Sequence, residues 1–188
     1  MGYHRAGFDE ILGVDIQPQP RYPFEFVQAD ALQYLAEHGQ EFDFIHASPP
    51  CQRYSAMRHL PWLRGKEYWD SIPPTREGLR MVGVPWVIEN VMGAGLDAGW
   101  LCGTMFELPF FRHRVFETTF PWMQPGHPIH RLVFKRGGLF GSNGGRLLQV
   151  SKLMGIDWMK RAELTQAIPP VYTEYIGRRW LEQVGTSA

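Results

Sequence analysis

Cys51 is the residue of this 188-residue chain best placed to do chemistry. It follows Pro49-Pro50, which in turn follow the apolar run Phe42-Asp43-Phe44-Ile45-His46-Ala47. A proline fixes φ and cannot donate a ladder hydrogen bond, so the run reads as a short strand ending in a stiff loop. Such a loop presents its thiol at the carboxyl edge of a sheet, where open α/β sheets bind ligands. An inert buried thiol is the other reading of a free cysteine. Three acids also stand at the ends of apolar runs: Asp15, Asp30 and Glu89. A thiol facing a carboxylic acid suits covalent catalysis on an electron-poor ring: the thiolate adds, and the acid neutralises the ring nitrogen that gains electron density. Arg112 and Arg114 offer planar forks for a carbonyl oxygen; phosphate contact or a surface ion pair would suit them as well. Asp15 and Asp30 match the ribose- and adenine-facing acids of nucleotide sites, and each is equally suited to a turn or a helix N-cap.

The elements that must position these residues alternate in the βαβ manner. Ile11–Ile16, Phe24–Asp30, Phe42–Ala47 and Trp86–Ile88 read as strands. Ala31, Leu32, Leu35 and Ala36 recur at helical spacing before Gly39, which reads as a helix stop. The pattern predicts a mostly parallel sheet that gathers Asp15, Asp30, Cys51 and Glu89 on one edge. Residues 53–80 read as a loop and a helix over that edge. Residues 121–150, rich in Gly and Pro, read as an irregular insert, and Thr173–Val184 as a closing helix.

Length and composition predict one domain spanning 1–188 with a real core. No apolar run approaches the roughly 18 residues of a membrane span. Cys51 and Cys102, the only cysteines, lack the spacing of a disulfide framework or a zinc motif, so the sequence predicts a reduced, cytoplasmic protein without a metal. The zero net charge hides an asymmetry. Residues 1–50 carry two arginines against eight acids, a balance of −6, whereas residues 112–152 carry seven basic residues against Glu117, a balance of +6. The basic half suits a polyanion, or a solvated face that balances the acidic half.

Pro49-Pro50-Cys51-Gln52, Glu89-Asn90-Val91 and Arg112-His113-Arg114, in that order, resemble the catalytic motifs of the DNA cytosine-5 methyltransferases. The resemblance extends to Val14-Asp15-Ile16, Gln28–Ala31, Leu101–Phe106 and the stretch Leu153–Trp180, and is nearest to the short enzymes carried by bacteriophages. It implies a Rossmann-like fold binding S-adenosylmethionine, and a monomer that acts on a cytosine flipped out of double-stranded DNA. By resemblance Cys51 attacks C6 of cytosine, Glu89 protonates or hydrogen-bonds N3, Arg114 contacts the base and Asn90 braces the cysteine loop, while Arg112 with Arg114 can supply the electropositive setting a thiolate needs. Asp15, Ile16, Asp30, Ala31 and Pro50 fall at cofactor-binding positions, and Arg53, Lys135, Arg136 and Arg146 are candidate DNA contacts.

Two departures from that family's pattern shape the expectation. The strand and Gly-rich turn that precede the helix matching Met1–Phe8 have no counterpart here, so the first strand is expected to be missing and cofactor binding weak. This points to an internal start within a longer reading frame, or to lost activity. The insert at 121–150 is too short for the family's target-recognition domain, which predicts relaxed specificity and keeps open a free-nucleotide or single-stranded substrate, or a non-catalytic nucleic-acid-binding role. Phe110 stands where the family often has a polar Gln.

Overall fold

The computed structural model describes residues 1–63, 65–96, 99–130 and 145–186. Their order is α1 (Gly2–Ala6), β1 (Leu12–Asp15), β2 (Glu25–Gln28), α2 (Ala31–His38), β3 (Ile45–Ala47), α3 (Ile72–Val82), β4 (Trp86–Asn90), β5 (Gly99–Leu101), β6 (Arg114–Thr118), α4 (Gly145–Met154), α5 (Arg161–Leu164) and α6 (Pro170–Gly185). Strands β1 and β2 form a parallel pair with Val14 opposite Val27. The second sheet has the order β3-β4-β6-β5. In it β3 runs parallel to β4, and β6 lies antiparallel between β4 and β5. Thus β3, β4 and β5 share one direction and β6 alone opposes them. The result is a mixed α/β fold with mostly parallel strands, compatible with a Rossmann-like arrangement. Among the described residues no ladder joins β1 to β3, so each of these strands keeps one unpaired edge.

β4 organises the core. All five of its residues are buried, as expected for an apolar strand covered on both faces. Alternation along the strand sends Val87 to a cluster with Leu101, Phe116, Phe120, Tyr172 and Ile176 beneath α6. Trp86 and Ile88 face the other way, against Leu79 of α3 and Leu35 of α2. Helix α6 buries Tyr172, Thr173, Ile176 and Gly177, the i, i+1, i+4, i+5 pattern of one helical stripe. Helix α1 lies directly on it. A Cβ at Gly2 would sit 1.9 Å from Thr173 Oγ1, so only glycine permits this approach. A third cluster of Phe110, Val150, Met154, Ile156 and Leu164 ties α4 and α5 to the segment before β6. No helix among the described residues is long and apolar enough to cross a membrane.

The structure differs from the sequence expectation in several places. The four anticipated strands form, but three are shorter than their apolar runs and β4 extends through Glu89 and Asn90. Gly39 does not end α2 in the left-handed region; it stays right-handed and opens a 3-10 turn, Gly39–Glu41. It must be small because a Cβ there would meet Val82 at 2.7 Å. Of residues 121–150, 121–130 are irregular and α4 begins at Gly145, while 131–144 lie outside the described residues. Strands β5 and β6 had no sequence counterpart: β5 has only three residues, and β6 begins on an arginine already assigned to chemistry.

Candidate active site

The loop after β3 is held by main-chain groups on both sides of Cys51. Asn90 donates from Nδ2 to the Pro49 carbonyl at 2.8 Å, and its own Oδ1 accepts from the Val91 amide at 2.9 Å, which fixes the orientation of the side-chain amide. The Tyr54 and Ser55 amides donate to the Cys51 carbonyl at 3.0 and 2.9 Å. Asn90 is buried and the thiol-bearing residue half-buried, so a rigid loop presents a reachable sulfur. Arg53 closes the same loop: its Nη1 donates to the Tyr68 carbonyl and its Nε lies 3.4 Å from Asp70.

Glu89 sits inside β4, paired with Phe116, rather than beyond the strand end. It is 6% exposed. Its Oε1 lies 2.9 Å from Arg114 Nε but off the N–H axis, so the two groups are charge-paired while Oε1 accepts no aligned hydrogen bond. Burial pushes the Glu89 carboxyl up, and Arg114, a Ser48 hydrogen bond and Arg112 pull it partly back. This carboxyl holds a proton more readily than an ordinary glutamate, although a cation lies beside it. Arg112 is buried as well. It donates to the Thr165 carbonyl at 2.7 Å, and its own carbonyl accepts from the Tyr172 hydroxyl at 2.7 Å. Burial, then Arg114, lower its pKa to about 10, against opposing pulls from Glu89, Tyr172 and Cys51. Cys51, Glu89, Arg112 and Arg114 therefore share one electrostatic neighbourhood at the carboxyl ends of β3 and β4.

A hydrogen-bonded chain leads into Glu89 from behind. Burial raises the Tyr3 hydroxyl well above its ordinary range, so it stays protonated and donates to His46 Nδ1 at 2.6 Å. Burial lowers His46 to about 4, which keeps the ring neutral. With Nδ1 accepting, the ring proton is on Nε2 and is donated to Ser48 Oγ at 3.0 Å. The Ser48 hydroxyl then donates to Glu89. Sequence reasoning passed over Tyr3, His46 and Ser48; the available signal was a histidine in an apolar run just before Pro49. Because the folded pKa of His46 is depressed, its contribution is present above pH 6.5 and lost as pH falls through about 4. It is worth on the order of 3 kcal/mol. His46→Gln should flatten the acid limb of stability, read as urea midpoints at neutral and acid pH; equal acid sensitivity in both proteins would contradict this assignment.

Asp15 closes β1. Its Oδ1 accepts from the Gln17 amide at 2.8 Å, and Oδ2 has a long 3.4 Å contact with Gln19. Ile16 beside it is 62% exposed. Asp30 caps α2, its Oδ1 accepting from the Leu32 and Gln33 amides at 2.9 and 3.1 Å, so the N-cap reading describes its local role. Ala31 is the first residue of α2, and Pro50 is an exposed residue of the cysteine loop. Lys135 and Arg136 lie outside the described residues. Arg146 is in the first turn of α4, with its side chain outside the described set. An open cavity of about 650 Å³ lies at the other end of β4, against Pro85, Trp86, Thr119 and Phe120, and belongs to no part of this site.

The expectation of no metal site rested on chain spacing; among the described residues the fold brings Cys102, His113, His127 and His130 together, with all four donor atoms within 4.8 Å of one another. Cys102 and His113 come from the ends of paired strands, which no spacing rule along the chain detects. Comparison with protein-family models, with curated proteins and with solved structures finds no match to the chain.

Proposed function

We propose that the protein methylates C5 of cytosine in DNA, with S-adenosylmethionine as methyl donor. One observation carries this reading: a thiol on a braced loop, a buried acid whose hold on a proton burial strengthens and two arginines meet at the carboxyl ends of adjacent strands. In this reading the Cys51 thiolate adds to C6 of the ring while Glu89 holds a proton against N3. Arg114, paired to Glu89, orients that carboxyl and faces the base carbonyl. S-adenosylmethionine, when bound, supplies the methyl group that C5 accepts. Loss of the C5 proton and cleavage of the C6–S bond then regenerate the thiolate, so atoms and charge balance. The residues at the end of β1 fit the adenosine part of that molecule: the Asp15 Oδ2 has acceptor capacity for ribose hydroxyls, and exposed Ile16 offers an apolar face. Trp62 and Trp69, 71% and 66% exposed on the segment that follows Cys51, can stack on bases of an opened duplex. Flipping the target costs a few kcal/mol, offset by contacts in the pocket.

The test is transfer of labelled methyl to duplex DNA, with single strands and dCMP as competitors, together with duplex containing 5-fluorocytosine. Fluorine at C5 blocks the final elimination, so a denaturation-resistant protein–DNA complex is expected. Absence of both label and trapped complex would overturn the reading; label directed to dCMP instead would move the activity to the free nucleotide. That no ladder joins β1 to β3 among the described residues favours a second reading, in which the chain binds nucleic acid without turnover. Micromolar S-adenosylmethionine binding by calorimetry would reject it.

A further inference from the structure

Cys102 directly follows β5 and His113 directly precedes β6. The antiparallel register pairs Gly99 with Phe116, Trp100 with Val115 and Leu101 with Arg114, so the next facing pair is Cys102 and His113. The two donors are thus brought side by side at the open end of the ladder. The other two come from the irregular segment after β6. That segment is fixed at several points: the Trp100 amide donates to Gln124 at 3.0 Å, the Tyr175 hydroxyl to the Met123 carbonyl, and the Gln183 amide to the Pro121 carbonyl. Held in this way, His127 packs its ring against Trp100 at 4.8 Å, and His130 stacks on Phe111 at 3.8 Å. Both imidazoles therefore reach the cluster from a segment anchored at Pro121, Met123 and Gln124 and through ring contacts with Trp100 and Phe111.

The donor types suit one kind of occupant, which would part the closest pair of nitrogens slightly. Cys102 Sγ lies 3.3 Å from His130 Nε2, and His127 Nε2 lies 2.8 Å from the same nitrogen. A tetrahedral zinc ion with sulfur at about 2.3 Å and nitrogen at about 2.0–2.1 Å spreads its ligand atoms roughly 3.3–3.6 Å apart. One thiolate and three imidazoles form a soft-to-borderline set without an oxygen donor, which disfavours calcium and magnesium. Four protein ligands also leave no open position, the pattern of structural rather than hydrolytic zinc. As it stands the cluster is joined by hydrogen-bond contacts, Cys102 Sγ also lying 3.2 Å from Thr104 Oγ1, whereas a central cation would engage all four donors at once.

We propose that Cys102, His113, His127 and His130 bind one structural zinc ion that clips the segment after β6 onto the end of the β5–β6 ladder. One of its ligands, His113, lies between Arg112 and Arg114 in sequence, so the clip would hold the chain beside both arginines where β6 begins. It does not depend on the methyltransferase reading, since every ligand lies outside the Cys51–Glu89 pair. The test uses the full, untagged chain, because a polyhistidine tag would itself bind metal. Elemental analysis should find about one zinc per chain. Cobalt(II) added to chelator-stripped protein should give a thiolate-to-cobalt charge-transfer band and the intense visible bands of a tetrahedral site. Cys102→Ser should remove the charge-transfer band. His127 is exposed, so His127→Ala leaves the core unchanged and serves as the folded control. It should weaken zinc binding by more than the roughly 10–100-fold that loss of an outer-shell partner costs. Protein that stays substoichiometric after zinc is added, that gives no charge-transfer band, that retains copper instead, or whose His127→Ala variant binds zinc like the parent would overturn the proposal.

Discussion

Cys51→Ser is expected to lower methyl transfer by roughly 10⁴–10⁶-fold, the scale on which enzymes lose activity with their nucleophile. A hydroxyl without an adjacent base is a weak nucleophile at neutral pH, whereas a thiol is intrinsically far more nucleophilic. The fold should not register the change. The contacts that shape the loop run through the Pro49 and Cys51 carbonyls and the Asn90 side chain, none of which the substitution alters. Stability should therefore stay within about 0.5 kcal/mol of the parent, as for substitutions away from special features. Single-turnover transfer of labelled methyl, measured beside the unfolding midpoint, separates the two quantities. Undiminished transfer in a folded variant would remove Cys51 from the reaction.

Glu89→Gln should slow transfer by roughly 10²–10⁴-fold, the usual contribution of a positioned acid. It should also leave a mark on stability whose sign follows from burial. The folded carboxyl titrates above its ordinary value because burial disfavours the anion more than Arg114, Ser48 and Arg112 favour it. A raised folded pKa gives a contribution that is fully present below the ordinary carboxylate range and lost as pH rises through the folded value. Glutamine does not titrate, so the parent should lose stability relative to the variant as pH climbs through that window. Glutamine also leaves Arg114 without its charge partner, which offsets the variant by an amount that does not follow Glu89's titration. The slope of the difference with pH, read from denaturant midpoints, is the diagnostic. A slope of opposite sign would mean that Arg114, and not burial, governs this carboxyl.

The parts of the fold legible in the sequence were those with local signatures. The prolines after Ala47 marked the end of β3, the Ala31–Ala36 periodicity marked α2, and Asp30 was readable as its cap. What escaped was set by pairing between distant segments. Glu89 and Asn90 read as residues after a strand, yet Phe116 and Val115 hydrogen-bond beside them and draw both into β4. Arg114 read as a base-pocket residue, and nothing local shows that it also opens the strand lying antiparallel between two parallel ones. His46 read as one more residue of an apolar run; only the arrival of Tyr3 from the start of the chain gives its ring a partner. The four metal-ligand candidates were hidden for the same reason, since their proximity comes from strand register and a pinned loop rather than from a motif. Grouping Cys51 with Glu89 and the two arginines was possible because strand order alone brings those positions to one edge.

The unpaired edges of β1 and β3 have a consequence for cooperativity. Asp15 stands on one sheet, Glu89 on the other with Cys51 on the loop beside it, and among the described residues no ladder crosses between the sheets. An event at Asp15 therefore cannot reach Glu89 as a shift in strand register. It must pass through side-chain packing, from Leu35 of α2 against the core that α3 shares with β4, or from Tyr3 of α1 through His46. Packed side chains transmit such a change in small, distributed amounts. The two halves of the site are thus energetically separable, and occupancy of one would stabilise mainly its own sheet.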